Sequence, residues 1–434
     1  MVGALAAGRL FSPLDEELQL LPGQLTPHAH ECGVRLATWV PFGRAAKLLA
    51  ACLGVQVSEA TLRRYTEAAG AACEAVHCAT VDRIEREALP AGPGPETLLL
   101  SVDGAMVPLV HGEWAEVKTL AVGVVGEARQ QGDEWVVHTS ALSYFSRMTD
   151  AGSFQRESLA EIQRRGVENA GRVAAVMDGA EWEQRFVDFH CPQAIRILDF
   201  PHAAERLSQV GGAIWGEHNP TSQAWLEQRL HSLKHEGPRD VLVELRHLEA
   251  QHPDKTVIAE NLAYLEKRVA HLDYGRFQAQ GLPIGSGSVE SANKVVVEAR
   301  LKGAGKHWAP EHVNPMLALR NLVCNDRWAE GWPAITAQLR AQAAKHRLTL
   351  KDKRHGPPLK GSPHVALDRR DDDCTPKDRP APPVSASSPS PGQPLNETEM
   401  PKQPYRPPAN HPWRHSGIGR ARFNPYHWGN QSKI

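Results

Sequence analysis

Two short apolar runs, each closed by an Asp-Gly pair, constrain this chain more than any other feature. Leu98-Leu-Leu-Ser-Val102 runs into Asp103-Gly104, and Val173-Ala-Ala-Val-Met177 runs into Asp178-Gly179. Runs of this length bounded by turn residues are strand signals. A carboxylate at the C-terminal end of a strand is held by sheet hydrogen bonds and points into a cleft, and the following glycine lets other backbone approach closely.

The order of elements around these runs is that of a mixed α/β fold. Segments 117–125 and 135–142 alternate as strands, with a turn over 126–133. A helix over 151–165 precedes the strand 173–177, and a helix over 180–188 precedes another short strand at 194–198. Three antiparallel strands followed by alternating strand and helix make a mixed sheet. From Pro201 to about 280 the chain is helical only, an insertion at 203–280 after the second Asp; helices resume at 288–303 and 310–324.

Ala91-Gly-Pro-Gly-Pro95 marks a boundary between a helical N-terminal region, 1–92, and a core, 93–330. Upstream, Ala45, Ala46, Leu48, Leu49 and Leu53 share one helical face, Gly54 breaks it, and Ser58 caps a second helix over 59–69 that ends near Gly70 and carries Arg63 and Arg64, with helix continuing to about 90. Helix, glycine turn and capped basic helix over 42–70 is the pattern of a helix-turn-helix, and equally of a plain helical hairpin. Residues 357–412 hold 15 of the 33 prolines, so 350–434 is expected to be a disordered tail.

A third acid, Glu290, lies in Gly285-Ser-Gly-Ser-Val-Glu-Ser-Ala-Asn-Lys-Val-Val-Val-Glu-Ala-Arg300. Ser286 or Ser288 can cap a helix whose first turn holds it. Lys294, Arg300, Lys302 and Lys306 would extend a positive surface for a phosphate backbone, and Trp308 would stack on an unpaired base. Hard divalent cations choose carboxylates, and phosphoryl transfer uses two such ions about 3.5–4 Å apart. Each signal has a bland counterpart: a strand-end turn, a capping Glu, a flexible connector, a solvated helix face.

Charge and cysteine content limit the alternatives. With a formal net charge of −1 the chain lacks the global basic signature of a passive nucleic-acid coat. Its seven cysteines are odd in number and contain no Cys-x-x-Cys, so neither a disulfide framework nor a four-thiolate zinc site is indicated. Free thiols point to the reducing cytoplasm. No apolar run reaches transmembrane length and no signal peptide is evident, so no membrane partner is expected.

Four segments resemble the ISKra-type insertion-sequence transposases, within the DDE transposases that share an RNase H-like catalytic core. They are Phe11-Ser-Pro-Leu-Asp-Glu-Glu17 with the helical unit 42–70; Ser101-Val-Asp-Gly-Ala-Met-Val-Pro108 with Trp114-Ala-Glu-Val-Lys118; Met177-Asp-Gly-Ala180 with Leu198-Asp-Phe-Pro-His-Ala203; and 283–308. The resemblance implies an RNase H-like mixed sheet with a helical insertion. It implies Asp103, Asp178 and Glu290 as the catalytic triad holding two Mg²⁺ or Mn²⁺ ions, with Asp199 and His202 as an accessory Asp-x-x-His motif. It further implies metal-dependent DNA cleavage and strand transfer of an insertion sequence, by a homo-oligomer on terminal repeats and target DNA in the bacterial nucleoid. Family members carry a Cys-rich segment before the Pro-Leu-Asp stretch, whose absence here leads us to expect an N-terminal truncation. A non-catalytic DNA-binding regulator and a metal-dependent nuclease stand as alternatives.

Overall fold

Five strands build the sheet of this computed structural model, which describes residues 20–131 and 134–354 together with two short strands, Leu5–Ala6 and Arg9–Leu10. Phe11–Glu17, residues 132–133 and everything beyond Arg354 lie outside the described residues; of the tail expected to be disordered over 350–434, residues 350–354 are described and are helical. The strands are β1 (Thr97–Pro108), β2 (Trp114–Gln131), β3 (Glu134–Arg147), β4 (Arg172–Met177) and β5 (Ile195–Leu198). Their order is β3-β2-β1-β4-β5. β1 pairs antiparallel with β2 and β2 with β3, whereas β4 runs parallel to β1 and β5 parallel to β4.

The hairpin strands outrun their expected ends. Segment 126–131 is strand rather than turn, accommodated by register shifts between Val122 and Val124 and between Val125 and Ala128. β1 likewise continues past Asp103, because β2 pairs with it as far as Pro108 opposite Trp114.

Alternation along β1 sorts the core into two layers. Leu98, Leu100 and Val102, with Val173, Ala175 and Met177, face helices α4 to α6. Leu99, with Ala174, Val176 and Ile197, faces the helical insert.

The N-terminal helices are α1 (Pro27–Trp39), α2 (Phe42–Leu53) and α3 (Glu59–Glu87). α1 falls in the N-terminal region expected to be helical, ahead of the first helix delimited from the sequence; it starts at a Thr26 cap followed by proline at its first turn. The helix expected over 59–69 and the helix expected to continue to about 90 are one element, with no break near Gly70. It runs through to Glu87, and a Cβ on Gly70 would sit 2.3 Å from the carbonyl oxygen of Pro315. Gly70 therefore permits a close helix crossing rather than ending a helix.

α4 (Ala151–Glu157), α5 (Leu159–Arg164) and α6 (Glu181–His190) cover one sheet face. The insert comprises α7 (Phe200–Trp215), α8 (Pro220–His235), α9 (Pro238–Gln251), α10 (Thr256–Glu266) and α11 (Tyr274–Ala279). The Glu290 segment is not one regular helix: α12 (Gly287–Ala292) passes into a π-helical turn, Asn293–Glu298, then into α13 (Ala299–Leu301). α14 (Pro310–Cys324) and α15 (Trp328–Arg354) follow.

The N- and C-terminal helices share one core, with Val34, Ala69 and Ala72 packed among Leu319, Trp328, Trp332 and Ile335. The described residues 20–354 fall within one compact unit, and in the 91–95 segment the Gly92 N–H bonds to the Gln163 carbonyl at 3.2 Å.

α14 also closes the free edge of β3. Asn314, Asn321 and Asn325 each bond with both amide groups, through Oδ1 to a backbone N–H and through Nδ2 to a carbonyl, at Met148, Ser146 and Tyr144 respectively. Alternate residues of an edge strand expose their backbone groups on one side, and two asparagines on one helix and a third at its C-cap satisfy them.

Candidate metal centre

The 75 residues separating Asp103 from Asp178 also separate Thr97 from Arg172, the first pair of the parallel β1–β4 ladder. The acids thus continue one register, on the sheet face of Leu99 and Ala174. β4 ends at Met177, so Asp103 projects beyond its parallel neighbour while β2 supports its other side.

Both carboxylates are tied to their own turns. Asp103 Oδ1 accepts from Gly104 N–H at 2.7 Å, and Asp178 Oδ1 from Ala180 N–H at 2.7 Å. The third acid of the cluster was not anticipated. Glu183, in the first turn of α6 and 1% exposed, accepts from Gly179 N–H through Oε2 at 3.1 Å. One oxygen each from Asp103, Asp178 and Glu183 lie within 4.8 Å of one another. Burial pushes the Asp103 carboxyl up, and the charge of Asp178 adds to this. Burial likewise raises Glu183, to about 10, reinforced by a hydrogen bond to Asp178 and by the charges of Asp178 and Asp103.

A signal for Glu183 exists in the sequence. It shares a helical stripe with buried Phe186 and Val187, whereas nearby Glu181 is exposed. An acid on the apolar face of a helix that follows a strand-end Asp needs a partner.

Glu290 lies outside this cluster. It is exposed on α12, within 3.4 Å of the Ser286 hydroxyl. Its helix nevertheless reaches the site: one turn on, Asn293 donates from Nδ2 to Asp103 Oδ2 at 2.8 Å. Asn293 is 6% exposed and its Oδ1 has no hydrogen-bond partner. An orphaned acceptor beside three crowded carboxylates fits a bound cation, and an all-oxygen donor set fits a hard divalent ion.

Asp199 and His202 join the segments around the cluster. Fully buried Asp199 accepts from Ser286 N–H at 2.6 Å through Oδ1 and from His202 N–H at 3.2 Å through Oδ2, and pairs with His202 Nδ1 at 2.7 Å. Its own N–H donates to the Met177 carbonyl at 2.8 Å. One aspartate thus ties the end of β4, the start of the insert and the loop entering α12. The Asp199 hydrogen bond raises the His202 imidazole, and His202 in turn acts on Asp103.

The insert clamps the second acid from above. The Tyr264 hydroxyl donates to the Asp178 carbonyl, and Arg268 Nη2 donates to the Gly179 carbonyl at 2.6 Å. Gly179 has φ +89°, and a Cβ there would meet Arg268 Nε at 2.5 Å.

The basic residues expected to hold DNA divide sharply. Arg63, Arg64 and Lys294 are exposed, Arg63 beside Glu67 at 3.7 Å. Arg300 is a correction: 3% exposed, it donates to the Ala37 carbonyl at 2.9 Å and lies over Phe42 and Trp308, and burial lowers its pKa to about 10. Trp308 is a second correction. It is 8% exposed, donates to the Leu301 carbonyl and pairs through its backbone with Pro108, so it is core rather than a base-stacking platform. Lys302 pairs with Glu298 at 2.6 Å, and Lys306 donates to the carbonyls of Arg300 and Lys302, capping the end of α13.

The six cysteines among the described residues are free, and no described helix is long and apolar enough to cross a membrane. No protein-family model and no curated protein matches this chain.

Proposed function

We propose that this chain is a metal-dependent DNA phosphodiester-transferring enzyme, a DDE transposase of the ISKra type. The observation that carries the reading is the meeting of Asp103 and Asp178, 75 residues apart, with Glu183 in one half-buried oxygen cluster at the ends of adjacent parallel strands. The mixed sheet, the helical insert after the second acid, and the Glu290 helix joined to Asp103 through Asn293 support an RNase H-like identity for the core.

Asp103, Asp178 and Glu183 would hold Mg²⁺ or Mn²⁺, with the Asn293 amide at the same site. When bound, two such ions stabilise the attacking and leaving oxygens of an in-line displacement. The protein's own part is positioning. Asn293 and Gly104 fix the two oxygens of Asp103, Ala180 and Tyr264 fix the Asp178 turn, and Asp199 holds His202, which interacts electrostatically with both acids. Glu290, one helical turn before Asn293, is exposed and remains the third acid that the family resemblance implies. The enzyme would act as an assembly of two or more copies on paired DNA ends.

The test is incubation of the full chain with supercoiled plasmid in Mn²⁺. Nicked and linear products, lost in Asp103→Asn with DNA retention intact, support the reading; undiminished cleavage by Asp103→Asn contradicts it. Joined products distinguish a transposase from a nuclease. Comparing Glu183→Gln with Glu290→Gln identifies which acid the reaction needs.

A further inference from the structure

We propose that the helical insert supplies the phosphate-receiving wall of this site, with Arg206 as the residue that contacts the DNA backbone and Tyr264 as its platform. This inference rests on the reading of the acid cluster as a metal-dependent DNA site.

A phosphodiester approaching three carboxylates needs cationic side chains on the open side, in addition to any metal. Of the sequence-predicted cations on and after the Glu290 helix, exposed Lys294 offers no two-point donor, Arg300 is buried, and Lys302 and Lys306 are engaged locally. The insert provides such a cation. Arg206 lies four residues after His202 on α7, so the two share a helix face. His202 is within the electrostatic reach of both Asp103 and Asp178. The Arg206 guanidinium lies 4.2 Å from the centre of the Tyr264 ring, whose hydroxyl bonds to the Asp178 carbonyl.

Among the described residues Arg206 forms no ion pair. Arg268, 3.8 Å from the same ring centre, is committed to the carbonyls of Gly179 and Tyr264. A half-buried guanidinium held over an aromatic ring, with no ion pair among the described residues, suits two-point bonding to phosphate. Arg268 fixes the ring and the acid; Arg206 is left for the substrate.

The experiment measures binding of a fluorescent duplex oligonucleotide by the full chain across a KCl series in Ca²⁺, for wild type, Arg206→Gln and Arg206→Lys, with Mn²⁺ binding measured on each preparation. Arg206→Gln is expected to lower the slope of log K against log salt by about one, the loss of one phosphate contact. Arg206→Lys is expected to keep the slope but bind several-fold more weakly, since an ammonium cannot bond at two points. An unchanged slope in Arg206→Gln overturns the inference. If that variant fails to fold, wild-type affinity in Arg206→Lys overturns it instead. Failure of wild type to bind Mn²⁺ would sink the parent reading, whereas intact Mn²⁺ binding with an indifferent Arg206 would sink this inference alone.

Discussion

Asn293 donates to Asp103 across 190 residues of chain, joining the helix that carries Glu290 to the central strand of the sheet. The π-helical turn starts at this residue. Such bulges are frequent at functional sites, where they re-aim side chains within a helix.

Removal of this amide should loosen the metal centre more than the fold. Groups that orient metal-ligating side chains are worth about 10–100-fold in metal affinity. Asn293→Ala is expected to weaken Mn²⁺ binding by that order in calorimetric titration. An affinity equal to wild type would show that Asp103 needs no support from the Glu290 helix.

Gly70→Ala should destabilise the protein, against helix propensity. Alanine gains about 1 kcal/mol over glycine in an exposed helix interior. Here its Cβ would meet the Pro315 carbonyl oxygen at 2.3 Å, so α3 and α14 must separate. Overpacking of this kind costs about 1–3 kcal/mol, and the urea midpoint should fall. A raised midpoint would mean that the crossing yields easily.

Asn321→Leu removes the partners of both backbone groups of Ser146 at the sheet edge, bonded at 3.0 and 3.1 Å. Each buried polar group left unpaired costs about 1–3 kcal/mol. The melting temperature should drop, and an uncovered edge should raise the rate of aggregation on heating. A neutral effect on both would show that water replaces the amide at no cost.

His30 should make stability depend on pH. Burial lowers its imidazole from 6.5 to about 4; the ring stacks on Tyr65 at 4.7 Å and its Nε2 has no partner. Between these values the unfolded chain binds a proton that the folded chain does not. The stability contribution is therefore full above pH 6.5 and is lost as pH falls toward 4, by up to about 1.4 kcal/mol per unit. Half-buried His190, also lowered to about 4 by desolvation, acts in the same direction. Denaturant titrations from pH 4 to 7 should show a shallower slope in His30→Phe; an unchanged slope would mean that His30 titrates normally.

The sheet was legible because its strands are short apolar runs between turn residues, and the Asp103–Asp178 spacing already held the register of the parallel ladder. The helical insert was legible from the lack of strand-like runs after Pro201. What was hidden depends on tertiary packing. Glu183 sits in Glu-Trp-Glu-Gln-Arg, polar enough to pass for a solvated first turn, and its burial follows from where α6 crosses the sheet. Arg300 and Trp308 look like a nucleic-acid face in one dimension, but the π-helical turn and the pairing of Trp308 with Pro108 turn them inward against Ala37 and Phe42. Gly70 looked like a helix end because glycine does both jobs, and only the position of Pro315 separates them.

Mn²⁺ binding, followed by the loss of the free-ion paramagnetic resonance signal, tests the central claim most directly. Wild type should bind Mn²⁺, Glu183→Gln more weakly, and the double variant Asp103→Asn/Asp178→Asn not at all while retaining its fold. Equal binding by wild type and the double variant would contradict a metal centre at these acids.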